Sequence, residues 1–357
     1  MRFYAMSLFS FLDAFGAAAT GERLARIQRS PQYRDGRFKN PVETVKMPPG
    51  VLRETLRRQF FGREQRVPPK PIPVTPLTPA AFAQAPPSGL RVTWFGHSTT
   101  LIEIDGHRVL VDPVWCLRAS PSQLFGPKRF HPAPMPLQVM PRLDAIVFTH
   151  DHYDHLDMTA VRTLVGSVTQ ERVPFIVPLG VGAHLDRWGV PASRIIELDW
   201  WETTTVRGLT FAAGSARHFS GRGFGGERTL WASWSIIGPT HRVFHSGDTG
   251  MFDGIADNGR RYGPFDLTLI KIGAYAELWP NIHLNPEEAI RVHTLVQGKA
   301  MVPIHWATFN LAFHDWNEPA ERVVAAAESA GVRLIMPRIG QQVEPASPPA
   351  FDAWWRV

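Results

Sequence analysis

Cysteine is almost absent from this chain of 357 residues, and long apolar runs are missing altogether. Cys116 is the only cysteine, which excludes an intramolecular disulfide, a zinc ribbon and a Cys-x-x-Cys redox pair. We interpret Cys116 as a small buried apolar residue, and a reducing, cytoplasmic compartment is consistent with it. A bilayer-spanning helix needs about 20 consecutive apolar residues, and no segment provides them.

The stretch from residue 3 to residue 19 is fairly apolar and allows three interpretations. It ends in Ala17-Ala18-Ala19, which would suit a signal peptidase. Asp13 interrupts the apolar core, however, and only Arg2 precedes it, so a cleaved signal fits poorly. A helix that docks on the protein or lies at a membrane interface fits better, and both of these interpretations stay open.

Positive charge is concentrated in the N-terminal part of the chain. Residues 1–75 contain 14 Arg/Lys and 6 Asp/Glu, whereas the remainder contains 24 and 26. Such a segment could attract phosphate-rich partners or an anionic membrane surface, or it could be a solvated, irregular arm. Dense prolines between Val67 and Pro87 predict an extended strap. The predicted divisions are a basic leader and strap at 1–88, a catalytic domain at 89–345 and a tail at 346–357.

Beyond residue 89 the chain predicts strands first in succession and later in alternation with helices. Asp105-Gly106 between two strand-like runs is a strong hairpin signal. Asp157 is a suitable N-cap for a helix that begins at about Met158, and Arg333–Met336 is expected to be the last strand. This order predicts an α/β or α+β fold of layered sheets covered by helices.

The clearest chemical feature is a cluster of histidines and carboxylates directly after a buried-type strand. Residues 149–157 read Thr-His-Asp-His-Tyr-Asp-His-Leu-Asp. In a strand-to-helix loop, His150 and His152 can share one metal ion while Asp154 and His155 turn toward a second. Imidazole nitrogen and carboxylate oxygen suit zinc, and also iron or manganese. The alternative, a His-rich surface loop, explains the position after a buried strand poorly.

Three further candidate ligands lie where later strands are expected to end: His218, Asp248 and His305. Each alone could be a buried polar residue, and Asp248 between two glycines could be an ordinary turn. Together with the cluster at 150–155, they predict a metal site larger than one loop can supply.

These residues resemble the metallo-β-lactamase superfamily, whose His-x-His-x-Asp-His motif matches residues 150–155 at every fixed position. The later histidine, aspartate and histidine match in the same order. The resemblance implies a four-layer αβ/βα sandwich with two divalent metal ions, zinc being the first choice, at the top of the sheets. It also implies a ligand set in which one carboxylate bridges two ions: His150, His152 and His218 on one, Asp154, His155 and His305 on the other, and Asp248 between them.

Within the superfamily, the chain is most similar to the N-acylphosphatidylethanolamine-hydrolysing phospholipase D group and its bacterial relatives. The similarity runs from about residue 30 to residue 320. It includes Ser30–Asn40, Arg228–Ser235, Gly247–Gly250, Pro286–Ala289 and Ile304–Phe309. The chain departs from that group at one place near the site. A Gln-His pair there is Ile282-His283 in this chain, so the histidine is kept and the glutamine is not, which bears on the identity of the substrate.

The resemblance predicts a phosphodiesterase that acts on N-acylphosphatidylethanolamine-type phospholipids. Two close cations would lower the pKa of a bridging water and provide hydroxide at neutral pH, which Asp154 would orient. His283 is expected to position the substrate or to protonate the leaving group, unless it is a packing residue. Asp112 and His97 are expected to orient ligands, unless they are turn residues.

Other functions use the same metal core. A lactonase or other small-ester hydrolase is the main alternative. A nuclease is disfavoured because residues 90–357 contain no basic stripe, so no nucleic-acid partner is expected. A non-catalytic metal-binding protein would have lost ligands, and all seven are present. The expected partners are a phospholipid or other small amphipathic substrate and an anionic membrane surface, with peripheral association; the oligomeric state, including a dimer, stays open.

Overall fold

The computed structural model describes residues 8–46, 50–223 and 225–357, with side chains from residue 11 onward in these ranges. The beginning of the apolar N-terminal stretch, residues 3–7, therefore lies outside the described residues. None of the helices within these ranges is long and apolar enough to cross a bilayer.

From residue 90 onward, strands come in two runs, over residues 90–147 and 195–245, that are separated and followed by α-helices. The strands are β1 (Tyr33–Arg34), β2 (Arg37–Phe38), β3 (Leu90–Trp94), β4 (Thr100–Ile104), β5 (His107–Val111), β6 (Ala145–Val147), β7 (Phe175–Pro178), β8 (Ile195–Leu198), β9 (Thr203–Val206), β10 (Leu209–Gly214), β11 (Ser233–Ile237), β12 (Arg242–His245), β13 (Leu267–Lys271), β14 (Met301–Ile304) and β15 (Gln342–Val343). The helices are α1 (Leu8–Asp13), α2 (Gly21–Arg29), α3 (Val51–Phe61), α4 (Met158–Val165), α5 (Gly182–Arg187), α6 (Ala256–Tyr262), α7 (Pro286–Leu295) and α8 (Glu318–Ala330).

Two sheets form the centre of the fold. One has the strand order β15-β3-β4-β5-β6-β7-β8, and the other has the order β14-β13-β12-β11-β10-β9. Each sheet is partly parallel: β5 to β8 in the first sheet, and β12 to β14 in the second. Because parallel strands end at the same edge of a sheet, the loops that follow β6, β12 and β14 are delivered to such an edge.

The alternation of side chains along β6 shows how the layers are arranged. Ala145 and Val147 contact the apolar core between the two sheets, whereas Ile146 belongs to a second core that includes Val161 of α4. On the far side, α7 packs against β13 and α8. The order of layers is helix, sheet, sheet, helix, which is the four-layer αβ/βα sandwich predicted from the sequence.

Segments of the leader pack along the two-sheet body. Ile27 in α2 and Phe38 in β2 are buried within the core between the sheets. Asp13, at the end of α1, accepts hydrogen bonds from Arg162 and Arg187 at 2.8 and 2.7 Å. The described part of the apolar N-terminal stretch therefore contains one short helix, α1, that docks on the body through Asp13.

The strap and the C-terminal tail also contact the body. The proline-rich strap, all of which the structure describes, has no α-helix and one short 3-10 turn, Pro79–Phe82. Within the strap, Val74 forms an isolated parallel bridge with Ile339. In the tail, Trp354 and Trp355 are buried.

The predicted last strand, Arg333–Met336, is wrong. Only Leu334 in this segment forms a bridge, with Met301. Pro337 follows the segment and lacks the amide hydrogen that a longer ladder would need. The final strand is instead β15, which pairs with β3 at the edge of the first sheet.

Candidate metal centre

The first candidate ligands lie in the tight loop between β6 and α4. The Asp157 carboxylate accepts a hydrogen bond from the Thr159 amide at 2.8 Å, which confirms the predicted N-cap of α4. Within the loop, the amides of His155 and Leu156 both donate to the carbonyl of His152. This turn brings side chains that are close in sequence to different sides of one pocket.

Three imidazoles converge at one side of this pocket. His150 Nε2 lies 2.9 Å from His152 Nδ1, and His218 Nε2 lies 3.3 Å from the same atom. His218 comes after β10, so the second sheet supplies it to a cluster that begins in the first sheet. The three ring nitrogens are close enough together to hold one metal ion.

A second group of ligand atoms adjoins the first. Asp154 Oδ2 lies 3.5 Å from His155 Nε2 and 3.4 Å from His305 Nε2. His305 directly follows β14. His97 completes the group, since its Nε2 lies 2.8 Å from Asp154 Oδ2. One carboxylate and several imidazoles therefore face a second position in the same pocket.

Asp248 lies between the two groups. Its Oδ2 is 3.0 Å from His305 Nε2, 3.5 Å from His155 Nε2 and 3.7 Å from His218 Nε2. β12 ends three residues earlier and delivers this carboxylate to the pocket. All seven residues predicted as ligands are thus brought together, and Asp248 is close to both groups.

Some polar atoms in the pocket are buried with no hydrogen-bond partner among the described residues: His155 Nε2, His305 Nε2 and Asp248 Oδ1. Buried polar atoms are nearly always hydrogen-bonded, because an unpaired one costs about 1–3 kcal/mol. A divalent cation would satisfy them, and this donor set suits zinc, iron or manganese. The residues therefore fit a metal centre.

Buried acceptors hold the outer nitrogens of the imidazoles. Asp112 Oδ2 lies 2.7 Å from His155 Nδ1, and Asp112 Oδ1 accepts a hydrogen bond from the Thr149 amide at 2.8 Å. The Ile282 carbonyl lies 2.9 Å from His218 Nδ1. A hydrogen bond at Nδ1 leaves Nε2 free to bind a metal ion. Asp112 thus contacts a candidate ligand from behind, where an orienting carboxylate is expected.

Burial and mutual proximity set the charge states of the pocket. Burial lowers the pKa of His150 and His218 well below the ordinary histidine value, so both rings are neutral. Burial alone would raise the pKa of Asp248, but His305 and Lys271 outweigh it and hold that pKa well below its usual range. The neutral His150 and His218 rings and the ionised Asp248 are in the protonation states that bind a divalent cation. Burial alone would lower the pKa of His155, but Asp248 and Asp154 outweigh it and raise that pKa well above the ordinary value, so this ring would release a proton on binding the metal ion.

Three residues of the site adopt the left-handed backbone region. The φ angles are 51° at His97, 44° at Asp112 and 64° at His305. Residues other than glycine rarely adopt this region, and each instance costs on the order of 1–3 kcal/mol. The His305 amide donates to the His97 carbonyl at 2.8 Å, so two of these residues also link the two sheets. Strain that gathers at one pocket is typical of a functional site.

His283 faces the same pocket from the loop between β13 and α7. Its Nε2 lies 4.0 Å from Asp248 Oδ2, and its Nδ1 contacts the Lys271 ammonium. Lys271 is fully buried and donates to the Gly273 carbonyl at 3.0 Å. Lys271 is not predicted from the sequence as a site residue, although a single charge inside the apolar segment Leu267–Ile272 is a signal for it.

Asp151 is a second residue that sequence reasoning does not identify. Its carboxylate accepts hydrogen bonds from the Gly221 amide at 2.7 Å and from the Thr229 hydroxyl at 2.8 Å. It also lies 3.2 Å from His184 Nε2, while His184 Nδ1 accepts from the Ala17 amide. Asp151 therefore fixes the back of the motif loop and connects it to the leader.

Comparison with known proteins gives the same family. Residues 107–306, more than half of the chain, match the family described as "Beta-lactamase superfamily domain". An uncharacterised protein of Mycobacterium tuberculosis is 49% identical over 349 residues, which cover 96% of this chain and 92% of that protein. N-acyl-phosphatidylethanolamine-hydrolyzing phospholipase D 1 of Caenorhabditis elegans is 36% identical over 285 residues, 76% of this chain and 79% of that protein.

Solved structures share the fold at lower identity. The metallo hydrolase Igni18 from Ignicoccus hospitalis has a TM-score of 0.53 and 24% identity, and the match covers 71% of this chain and 97% of that one. The isothiocyanate hydrolase from Delia radicum gut bacteria has a TM-score of 0.55 and 16% identity, over 71% and 98% of the two chains. The predicted fold and family are confirmed, and the chain belongs to the metallo-β-lactamase superfamily as a metal-dependent hydrolase.

Proposed function

We propose that this protein is a phosphodiesterase that hydrolyses N-acylphosphatidylethanolamine-type phospholipids at a dinuclear centre. The observation that carries the proposal is the position of Asp248 between two groups of ligand residues, which suits one carboxylate shared by two cations. Two such cations, when bound, supply an activated water at neutral pH and neutralise charge on a phosphoryl oxygen. The relative from Caenorhabditis elegans supports the substrate class.

We divide the chain's own residues between the two ions as the family resemblance implies, and their proximity in the pocket supports this division. We assign three imidazoles to one ion, a carboxylate and two imidazoles to the other, and one shared carboxylate: His150, His152 and His218; Asp154, His155 and His305; and Asp248. Asp154 also contacts His97, which restrains its side chain so that it can orient the attacking water. We favour zinc because histidine and aspartate are its usual ligands.

A cavity of about 450 Å³ is lined by His283, whose Nε2 faces Asp248, and we propose that the substrate enters through it. Tyr275 and Phe313 contribute aromatic surface to its wall, and Arg58 contributes a positive charge from helix α3. The phosphodiester of a lipid is an anion, so a cation at the entrance favours its approach. His283 is the residue that we assign to the departing alcohol.

Helix α3 exposes an apolar stripe next to this cavity. Leu52, Leu56 and Phe60 are four residues apart and lie on one face, and Leu56 and Phe60 are 50% and 74% exposed. Arg58 fixes the helix to the body by donating to the Phe313 carbonyl at 3.0 Å. An exposed apolar stripe on an arginine-rich helix is typical of a segment that lies on an anionic bilayer.

A second apolar projection faces α3 across a groove. Leu124 and Phe125 are strongly exposed, at 86% and 61%. They lie in the loop whose following residues, including Lys128, line the groove together with Gln59 and Arg66. Helix α3 and residues 124–125 together form a rim around this groove. We propose that the rim rests on an anionic bilayer while a phospholipid reaches the metal centre.

A small-ester or lactone substrate is the second candidate. The wall of the cavity beside His283 carries several charged side chains, among them Glu277, Glu288 and Arg322. A long acyl chain gains little from such a lining, whereas a small polar substrate could hydrogen-bond to it. This lining favours the alternative unless the acyl chains stay in the bilayer.

The experiment that separates these functions uses purified protein loaded with Zn²⁺. N-acylphosphatidylethanolamine in anionic vesicles and a set of soluble lactones are offered in parallel assays. We expect release of phosphatidic acid and the N-acylethanolamine from the vesicles. Lactone turnover without any phosphatidic acid would overturn the proposal.

A further inference from the structure

Lys271 is a cation buried beside a centre that itself binds cations. Its side chain is inaccessible to solvent, and it makes no ion pair with the described residues. A charge in such a position is costly unless it is well compensated. A buried charge next to a reactive site therefore calls for a functional explanation.

The contact of Lys271 fixes where His283 carries its proton. An ammonium group has three N–H donors and no lone pair, so His283 Nδ1 must accept the hydrogen bond from Lys271 Nζ. A neutral imidazole that accepts at Nδ1 carries its hydrogen on Nε2. That Nε2 is the atom 4.0 Å from Asp248 Oδ2, so the N–H faces the metal pocket.

We propose that Lys271 positions His283 as the proton donor to the leaving oxygen and resupplies the proton that His283 gives up. This inference rests on the proposed phosphodiester hydrolysis, in which water adds to phosphorus and the P–O bond to the alcohol breaks. As that bond breaks, the leaving oxygen takes the Nε2 proton of His283, and Nδ1 takes a proton from Lys271. The attacking water loses its proton to solvent. His283 lines the open cavity, so solvent returns a proton to its Nε2 while Nδ1 gives its own back to the buried Lys271 amine.

The relay explains why both residues are needed. A neutral imidazole that lost its Nε2 proton alone would become an imidazolate, which is far too basic to form easily. Proton transfer from Lys271 to Nδ1 keeps His283 neutral throughout. The Gly273 carbonyl and His283 Nδ1 are the hydrogen-bond partners of the buried Lys271 ammonium, and of these two only the imidazole nitrogen can take a proton from it.

Substrates that differ only in their leaving group test this relay. An alkoxide must be protonated as it departs, whereas 4-nitrophenolate is stable without a proton. We expect Lys271→Met to lower kcat on an alkyl phosphodiester by about 100-fold or more, but on bis(4-nitrophenyl) phosphate by less than about 3-fold. His283→Asn should also lower kcat on the alkyl substrate far more than on the nitrophenyl substrate. The double variant should lose no more activity than either single variant.

A control variant and the nitrophenyl substrate separate the relay from loss of folding. Lys299→Met removes an exposed lysine that pairs with Asp266 at 2.8 Å, and it should change neither rate. Bound metal should be the same in all variants. Equal losses on both substrates with Lys271→Met, at unchanged metal content, would overturn the relay.

A spectroscopic readout tests the positioning role without turnover. In ¹⁵N-histidine-labelled, zinc-loaded protein, the His283 ring, assigned from its absence in His283→Asn, should show the Nε2–H tautomer. Lys271→Met should shift it toward the Nδ1–H form. If the wild-type ring already carries its proton on Nδ1, the inference is wrong. If the wild type cleaves no phosphodiester at all, the proposed function fails, and the tautomer alone decides the positioning role.

Discussion

The metal centre and helix α3 are built in opposite ways, although His283 beside the centre and Arg58 of α3 line the same cavity. Most of the candidate ligands are buried, follow strand ends, and have acceptors such as Asp112 behind their rings. Helix α3 instead presents Leu56 and Phe60 to solvent and is held to the body by polar contacts such as that of Arg58. One region is fixed by contacts from several sides, whereas the other leaves apolar side chains exposed to solvent.

This difference separates the chemistry from the choice of substrate. A buried site whose geometry is fixed by two sheets should treat every accepted substrate by the same steps. An exposed apolar and basic rim should affect only substrates that are presented on a surface. Changes in the metal centre should therefore lower all activities together, and changes in α3 should lower only activity on vesicles.

The largest effect is expected from Asp248→Ala, which removes the carboxylate between the two ligand groups. Turnover of every substrate should fall on the order of 10³-fold or more, because charge stabilisation at both positions is lost. Bound metal should fall as well, measured by elemental analysis after gel filtration. Asp253→Ala is the matched control, since that side chain is 94% exposed. Full activity in Asp248→Ala would refute the shared role.

A smaller loss is expected from Asp112→Asn, which keeps the shape of the side chain but weakens its hold on His155. Residues that orient metal ligands typically contribute about 10- to 100-fold in metal affinity or activity. Asparagine tolerates the positive φ of 44° at this position, so backbone strain should not confuse the result. Metal affinity is measured by competition with a chelator.

The control for Asp112→Asn is Asp35→Asn, at an exposed residue that also has a positive φ, of 55°. It should leave metal affinity unchanged. An unchanged metal affinity in Asp112→Asn itself would mean that other contacts hold His155. The acceptor behind this ring would then not be what fixes the metal centre.

The rim is tested by Leu56→Asp combined with Phe60→Asp. Each exposed apolar side chain that enters a bilayer contributes on the order of 1–3 kcal/mol, so the rate on anionic vesicles should fall at least about tenfold. Hydrolysis of a soluble phosphodiester should not change. Sedimentation with vesicles measures binding directly.

Val168→Asp is the control for the rim, because Val168 is even more exposed than Leu56 and Phe60 but lies near Leu143 and Asp144, which precede β6. The metal centre is at the other end of that strand. A rim variant that binds vesicles normally but changes its oligomeric state would show that this face contacts a second copy of the chain, and the membrane proposal would fail.

The comparison also explains how much the sequence alone can predict. The motif at 150–155 is local, and its position between a buried strand and the helix capped by Asp157 is readable from residue pattern. His218, Asp248 and His305 are found because each follows a predicted strand, and strand ends gather at one edge. Resemblance to a known family then groups them into one site.

Features that depend on contacts between distant segments are not predicted. Lys271 contacts His283 only because β13 ends beside the loop that precedes α7. The residue pattern of neither segment predicts this contact. The edge strands β8 and β9 are missed because they are short and partly exposed. Arg333–Met336 has a strand-like composition, but composition does not reveal whether a neighbouring strand is available to pair with it.

The smallest effect is expected in α1, which differs from α3 because its Asp13 forms ion pairs with the body. Arg162 and Arg187 donate to Asp13 and hold the pKa of Asp13 below its ordinary value. A lowered pKa in the folded state stabilises the protein above the unfolded value near 4, and this contribution is lost as the pH falls through the folded value. Asp13→Asn should therefore reduce the free energy of unfolding at pH 7 by at most about 1 kcal/mol, since the pair is partly exposed.

Urea titrations at pH 7 and pH 3 measure this free energy, and the difference between Asp13→Asn and wild type should shrink at pH 3. A difference that stays constant with pH would mean that α1 is held by its apolar contacts, as a docked helix without an ionic contribution.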